Sequence, residues 1–325
     1  MSEHEIILGK TGLSVSRLAF GTWQLSPRFW GQVPVAQVAE AMRTAFDLGL
    51  NFFDTADAYG DGLAESVLGE TLEAVPRDRV IIATKVFNHY NPDGSRYPDL
   101  SPSHIRERCE ASLQRLRTDY IDLYLLHFYD QLTPLSLIAE TMETLRAQGK
   151  IRHYGVSNFS VEELRAAAAA GSFSVLQPPY SLVNLDAEQS LFPYCLAHNI
   201  GVMVYSPLHK GLLTGKYQGT ETFADFRKHH PDFQGERFRM IAQAVQGLAP
   251  MAKKYGLSIY QLVLAATLSH PAIHCAVIGV KSGDQVREAA GALEKSVDRP
   301  DYFKIRQALN FAAPAKIQDA SGKVK

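Results

Sequence analysis

Eight short runs rich in β-branched and aromatic residues recur along the chain: RLAFGT (17–22), NFFDT (51–55), VIIATK (80–85), IDLYLLH (121–127), IRHYGVS (151–157), FSVLQ (173–177), IGVMVYS (200–206) and CAVIGV (275–280). Between them lie stretches such as VAQVAEAMRTAFDLG, SHIRERCEASLQRLR, LIAETMETLRAQGK and VEELRAAAAAG, whose apolar residues return every three or four positions. Strands that alternate with helices must pair in parallel through right-handed crossovers. A count of eight favours a closed (β/α)8 TIM barrel, in the α/β class, over a doubly wound open sheet. The opening EIILGKTGLSVS reads as an added N-terminal β-hairpin turning at GKTG. After the seventh run comes a long irregular segment, about 207–235. Two extra helices, about 236–255 and 258–269, precede the last strand. No linker or long repeat interrupts this order, so residues 1–325 read as a single domain.

Composition excludes several function classes. Lys+Arg is 33 against Asp+Glu 34, which leaves no broad field for nucleic acid or an anionic membrane. No apolar stretch approaches the roughly 20 residues of a spanning helix. The N-terminal MSEHEIILGKTG has no secretory pattern, so the chain reads as soluble and cytoplasmic. Cys109, Cys195 and Cys275 are scattered and odd in number, which argues against a disulfide framework or a cysteine metal site.

Two glycine motifs fail on inspection. GKT at 9–11 lacks the glycine a phosphate loop needs five residues earlier, where His4 stands. GDGLAE at 60–65 places Glu65 where a dinucleotide fingerprint wants a small residue, so it reads as a turn feeding a helix. Asn158 begins a glycosylation sequon that carries little weight without a secretion signal.

In a parallel barrel, chemistry collects where the strands' C-terminal ends meet. Asp54, Lys85 and His127 fall at three consecutive such ends, and adjacent strands about 4.8 Å apart let them converge. Tyr59 follows Asp54 by five residues and can fold over the same mouth. Taken singly, Asp54 suits a strand-end cap, His127 a core histidine and Tyr59 a rim aromatic; their convergence is what favours chemistry. A lysine beside a tyrosine favours the phenolate and brings proton donation into range. Asp54 supplies Lys85 with a counter-charge, and a neutral His127 holds a carbonyl in line. Such a set protonates an oxygen while its carbon is attacked. No HExxH or comparable ligand cluster is present, so no metal is expected. Asp57 reads as a turn or capping residue, and Asp122 as a structural one.

With GTW, FFDTADAYG, ATK, DLYLLH, GVSNF, YSPL…GLLTGK and IGVKS in this order, the sequence resembles the aldo-keto reductase superfamily over essentially its whole length. The resemblance implies a (β/α)8 barrel that binds a nicotinamide cofactor without a Rossmann domain. It makes Asp54, Tyr59, Lys85 and His127 the catalytic tetrad, with Tyr59 as general acid in reduction and base in oxidation. It places Ser157, Asn158 and Gln177 on the nicotinamide carboxamide, Tyr205 under the ring, and Gly21 and Thr22 beside the cofactor. Ser206, Leu208, Gly211 and Lys216 would contact the pyrophosphate, and Lys281, Ser282, Gln285 and Glu288 the adenosine end. A cation and a hydroxyl there suit a 2′-phosphate, implying NADPH/NADP+, with NADH as the alternative. Ala289 stands where the family often has asparagine, which removes one amide from that end.

Trp23, Trp30, Phe87, His89, Tyr90, Phe128 and Tyr129 lie on loops after strand ends and would wall a pocket for an aldehyde, ketone or sugar. The segment 207–235 would close over the cofactor, opening near Gly211, Gly215 and Gly219. The expected activity is carbonyl reduction, or alcohol or sugar oxidation in reverse, on a small molecule; the oligomeric state is left open. Two alternatives stand beside it: a lyase or aldolase in which Lys85 forms a Schiff base, and a cofactor-binding regulatory protein with little turnover.

Overall fold

The computed structural model describes residues 4–91 and 93–312; residues 1–3, 92 and 313–325, which the single-domain reading also covers, lie outside the described residues. Eight strands close into a barrel: β1 (Leu18–Gly21), β2 (Phe52–Asp54), β3 (Ile81–Val86), β4 (Ile121–Leu126), β5 (Ile151–Ser157), β6 (Val175–Gln177), β7 (Gly201–Tyr205) and β8 (Cys275–Gly279). Each pairs in parallel with its sequence neighbours, and β8 pairs with β1. The expected eight-stranded barrel is therefore the one observed.

Strand alternation splits the apolar residues into two layers. Ala19, Phe52, Ala83, Leu123, Leu125, Val175, Met203 and Val277 form one buried cluster inside the barrel. Phe20, Phe53, Ile82, Tyr124 and Val156 belong to another, packed against helices α1 (Val35–Asp47), α2 (Leu63–Leu72), α3 (Pro102–Leu116), α4 (Leu135–Ala147), α5 (Val161–Ala170) and α6 (Leu191–Ala197). Their starts follow from capping chemistry. Ser101 accepts the His104 N–H and Pro102 opens α3, while Ser160 and Glu163 form a reciprocal capping box on α5.

The N-terminal hairpin is present, with Glu5–Ile7 antiparallel to Ser14–Ser16. It closes the bottom of the barrel: Leu8 joins the interior cluster, and the Lys10 N–H donates to the Asn199 carbonyl. A Cβ on Gly9 would lie 2.2 Å from the Gly201 nitrogen, so this approach requires glycine. The open end is thus the strands' C-terminal end.

The expected helix at 236–255 is two, α7 (Gly235–Gln246) and α8 (Ala249–Tyr255), because Pro250 has no N–H with which to continue α7. Then come α9 (Ile259–Leu268), α10 (Gly283–Ala290) after β8, and α11 (Arg299–Ala312). A second small hairpin, Asn88–Tyr90 with Arg96–Pro98, was not foreseen. Its strands are three residues long and too short to show alternation. Among the described residues no helix is long and apolar enough to cross a membrane.

Candidate active site

The last inward position of seven strands forms a layer above the apolar interior: Gly21, Asp54, Lys85, Ser157, Gln177, Tyr205 and Gly279, with His127 one residue past β4. Five of these side chains are polar where the layer below is apolar, and hydrogen bonds tie them together. Lys85 Nζ donates to both Asp54 carboxylate oxygens, at 2.9 and 2.8 Å, and to the Thr55 carbonyl at 2.8 Å. The Gln177 amide donates to Asp54 Oδ1 at 2.7 Å. Asn158, at φ 59°, donates to the His127 carbonyl at 3.0 Å and accepts the Tyr205 hydroxyl at 2.7 Å. The Ser157 hydroxyl donates to the Gln177 carbonyl.

Tyr59 arrives on a tight turn after β2, in which its N–H donates to the Ala56 carbonyl. Gly60, at φ +62°, sits where a Cβ would come within 2.6 Å of the Leu25 carbonyl oxygen. The turn brings the Tyr59 hydroxyl within 3.4 Å of Lys85 Nζ, and its ring stands edge-on to His127 at 5.8 Å. Asp54, Tyr59, Lys85 and His127, dispersed over 74 positions of sequence (127 minus 53), therefore meet at one point.

Burial dominates their electrostatics. Loss of water pushes Tyr59 well above its ordinary value, and the Asp54 and Asp57 carboxylates push it further. This departs from the sequence-based expectation that Lys85 would bring the phenol down: burial and the two carboxylates outweigh the ammonium in the resting protein. Burial lowers Lys85 while Asp54 opposes the shift. His127 is pushed down to about 3 by burial, helped by the Lys85 charge, so it is neutral at physiological pH. Asp57 is not a turn cap. It is fully buried, its Oδ2 accepts Arg108 Nε at 2.9 Å, and burial raises it to about 7.

A cavity of about 890 Å³ opens above this layer. Asp54, Tyr59 and His127 reach it; Lys85 lies beneath, completely buried. Of the expected cofactor residues, Gly21, Ser157, Asn158, Gln177, Tyr205, Ser206, Leu208, Gly211, Lys216, Lys281, Gln285 and Glu288 line it. Thr22 and Ser282 do not. The buried Thr22 hydroxyl turns to the Asp54 carbonyl, and the Ser282 hydroxyl caps α10 by accepting the Gln285 N–H. Of the expected wall, Trp23, Trp30, Phe87 and Phe128 face the cavity. Tyr90 packs beneath Arg108 instead, His89 stacks on Tyr97, and Tyr129 donates to the Thr133 carbonyl.

The sequence reading missed Gln24, Arg96, Lys210, Thr214, Arg227 and Tyr260, which also line the cavity. Lys210 and Thr214 lie inside the quoted YSPL…GLLTGK stretch, so that motif was the available signal. Arg227 sits in the irregular segment and Tyr260 on α9, where no local pattern marks them. Phe226 and Arg227 pack against Trp30, at 5.0 and 5.7 Å, and Lys281 lies 5.1 Å from the same ring. Burial, with the Arg227 charge, holds the Lys281 ammonium below its ordinary value. Gly215 and Gly219, expected as opening points, are tightly packed: a Cβ at either would come within 2.9 Å of Ile259 or 2.8 Å of Arg239.

The Aldo/keto reductase family matches residues 17–310. With the barrel and its polar layer, this places the chain in that family, and it is an oxidoreductase. Its sequence is 37% identical over 305 residues to an aldo-keto reductase, YhdN, of Bacillus subtilis, covering 92% of each chain. It is 31% identical to an NADH-specific methylglyoxal reductase of Escherichia coli, over 93% of this chain and 97% of the other. Among solved structures, a glycerol dehydrogenase from Gluconobacter oxydans superposes with a TM-score of 0.90 at 30% identity, over 98% and 99% of the two chains. An aldo/keto reductase from Klebsiella pneumoniae in complex with NADP and acetate gives 0.73 at 30% identity, over 94% and 95%.

Proposed function

We propose that the chain, acting as one domain in the cytoplasm, reduces the carbonyl of a small aldehyde, ketone or sugar with NADPH, or oxidises the corresponding alcohol. The observation that carries this reading is the contact of the Tyr59 hydroxyl with a Lys85 ammonium held by Asp54, which the Gln177 amide in turn anchors. NADP in the Klebsiella relative supports the cofactor, and the E. coli relative's NADH specificity keeps NADH as the alternative. The free, buried cysteines are consistent with a reducing compartment.

The cavity's chemistry fits a dinucleotide. Lys210, Lys216, Arg227 and Lys281 line it, and among the described residues Lys216 and Lys281 make no ion pair. Gln24 Oε1, Trp30 Nε1 and the Tyr260 hydroxyl are buried at its edge with no hydrogen-bond partner. Lys216 and Lys281 would hold phosphates, Ser157 and Asn158 the carboxamide, and Tyr205 the nicotinamide ring. Bound there, the cofactor supplies the hydride.

The protein's own residues govern the proton. Tyr59 stays protonated until the substrate oxygen gains charge, then donates its hydroxyl proton to that oxygen. Lys85, 3.4 Å away, stabilises the phenolate that forms, and Asp54 fixes the ammonium. Neutral His127 orients the carbonyl with a ring nitrogen. A Schiff base at Lys85 is disfavoured by its complete burial and its three acceptor contacts. The test is NADPH oxidation followed at 340 nm across aldehydes, ketones and sugars. Turnover of at least one class is expected; tight NADPH binding with no turnover on any would favour a regulatory role.

A further inference from the structure

Outside the cavity, the described residues contain two trios of metal-ligating side chains, His89–Asp99–His104 and His209–His230–Asp232. No linear spacing advertises either. The second is already satisfied. His209 Nε2 bonds Asp232 at 2.6 Å and its Nδ1 lies 3.3 Å from the Ser181 hydroxyl; Asp232 also pairs with Arg237, and His230 Nε2 meets Lys210 Nζ at 3.2 Å. Its ligand atoms are taken, and two cations stand beside them.

The first trio is arranged differently. Asp99 Oδ2 lies 3.8 Å from His89 Nδ1 and 3.9 Å from His104 Nδ1, both too long for hydrogen bonds. His104 Nε2 lies 3.1 Å from the Asn88 carbonyl, which can only accept, so the ring's proton sits on Nε2 and Nδ1 carries a bare lone pair. That side chain is 5% exposed, and its Nδ1 lies 3.9 Å from the Asp99 carboxylate oxygen. A histidine whose outer nitrogen donates to a backbone carbonyl is the arrangement that orients imidazole toward a metal. His89 is steadied by stacking on Tyr97 at 4.8 Å. Asp99 Oδ1 accepts the Ser101 N–H at 2.8 Å, which leaves Oδ2 free, and its charge offsets the positive end of α3.

We propose that His89, Asp99 and His104 bind one divalent transition-metal ion, zinc or a similarly imidazole-preferring cation, which staples the Asn88–Pro98 hairpin to the first turn of α3. Tetrahedral zinc with bonds of about 2.0–2.1 Å holds its ligand atoms about 3.4 Å apart, so each Asp99–His separation needs to shorten by about half an ångström, and the three ligand atoms already lie within 4.8 Å of one another. The half-buried His89 can make that adjustment by side-chain rotation. The staple is structural: the hairpin carries Asn88 and Arg96 into the cavity wall, and the Asp99 N–H is bonded to the Phe87 carbonyl, so the ion would stiffen the substrate side of the pocket.

The test is titration of tag-free, chelator-stripped protein with Co2+ and Zn2+, read by visible absorption, calorimetry and thermal shift. One ion per chain is expected, with a rise in melting temperature. His89→Ala and Asp99→Asn should each weaken binding at least tenfold, whereas His230→Ala should leave it unchanged. Asp99→Asn keeps an oxygen for the Ser101 N–H, and circular dichroism of both variants checks that the fold is retained. Equal affinity in wild type, His89→Ala and Asp99→Asn would overturn the proposal, as would loss only in His230→Ala or no measurable binding.

Discussion

The layer at the barrel mouth and the wall above it are built in opposite ways. Asp54, Lys85, Ser157 and Gln177 stand on strands, are buried, and are locked by short hydrogen bonds to one another or to backbone. Trp23, Trp30, Phe226 and Arg227 stand on short helical turns and Lys281 on a loop; all are partly exposed and meet through ring and cation contacts at 5.0–5.7 Å, with Arg227 also bonded to Asp225 and Tyr217. Hydrogen bonds between fixed strands leave little freedom, so the first region suits proton transfer, which tolerates little displacement. Aromatic and cation contacts tolerate sliding, so the second suits holding ligands of varied shape. Substitutions below should therefore remove rate or stability, and substitutions above should change affinity.

The largest expected effect follows Lys85→Met. It leaves Asp54 buried with only Gln177 as a partner, so a loss of about 3–5 kcal/mol of stability is expected beside the loss of turnover, measurable by urea unfolding. Unchanged stability would mean that the pair is not coupled to the fold. Next, Lys281→Ala should raise the KM for NADPH by roughly tenfold or more and leave NADH nearly unaffected, since a charge-assisted phosphate contact is lost. Equal changes for both cofactors would move the 2′-phosphate away from Lys281. Trp30→Ala should raise the KM of substrate or cofactor by up to about tenfold with kcat nearly constant, the signature of lost uniform binding.

The smallest net effect is a pH dependence, in which two buried groups oppose each other. His127 has an ordinary value of 6.5 and sits at about 3 in the folded protein, so between those values the unfolded chain binds a proton that the folded one does not. Stability should therefore fall as pH drops from about 6.5 toward 3. Asp57, raised from 3.8 to about 7, acts with the opposite sign: the folded protein holds the extra proton, and stability is lost as pH rises across that window. The two slopes largely offset each other in wild type, so His127→Asn should raise the melting temperature toward acid relative to wild type, and Asp57→Asn should make its acid-side fall steeper. An unchanged profile in His127→Asn would show that the imidazole is not held neutral by its surroundings.

The same contrast explains what was legible in the sequence. Strand ends are marked by where an apolar run stops, so Asp54, Lys85 and His127 could be placed by counting, whereas Ser157, Gln177 and Tyr205 were marked by the family motifs. Thr22 and Ser282, taken from the GTW and IGVKS motifs, do not line the cavity, because the backbone turns each hydroxyl to a neighbouring peptide group. Arg227 and Tyr260 were invisible because long-range packing of the 207–235 segment and α9 brings them to the cavity, with no periodicity to reveal it. Asp57 looked like a turn residue because its partner, Arg108, is 51 positions away. The split of the helix at Pro250 was legible in principle, since proline ends a helical hydrogen-bond ladder.

In the proposed reaction Tyr59, positioned by Lys85, delivers the proton. The direct measurement is kcat of Tyr59→Phe against wild type on an accepted carbonyl, with NADPH affinity followed in parallel by fluorescence titration. The kcat of Tyr59→Phe should fall by roughly 10²–10⁴-fold while NADPH binding is preserved. Equal turnover by the two proteins would contradict it.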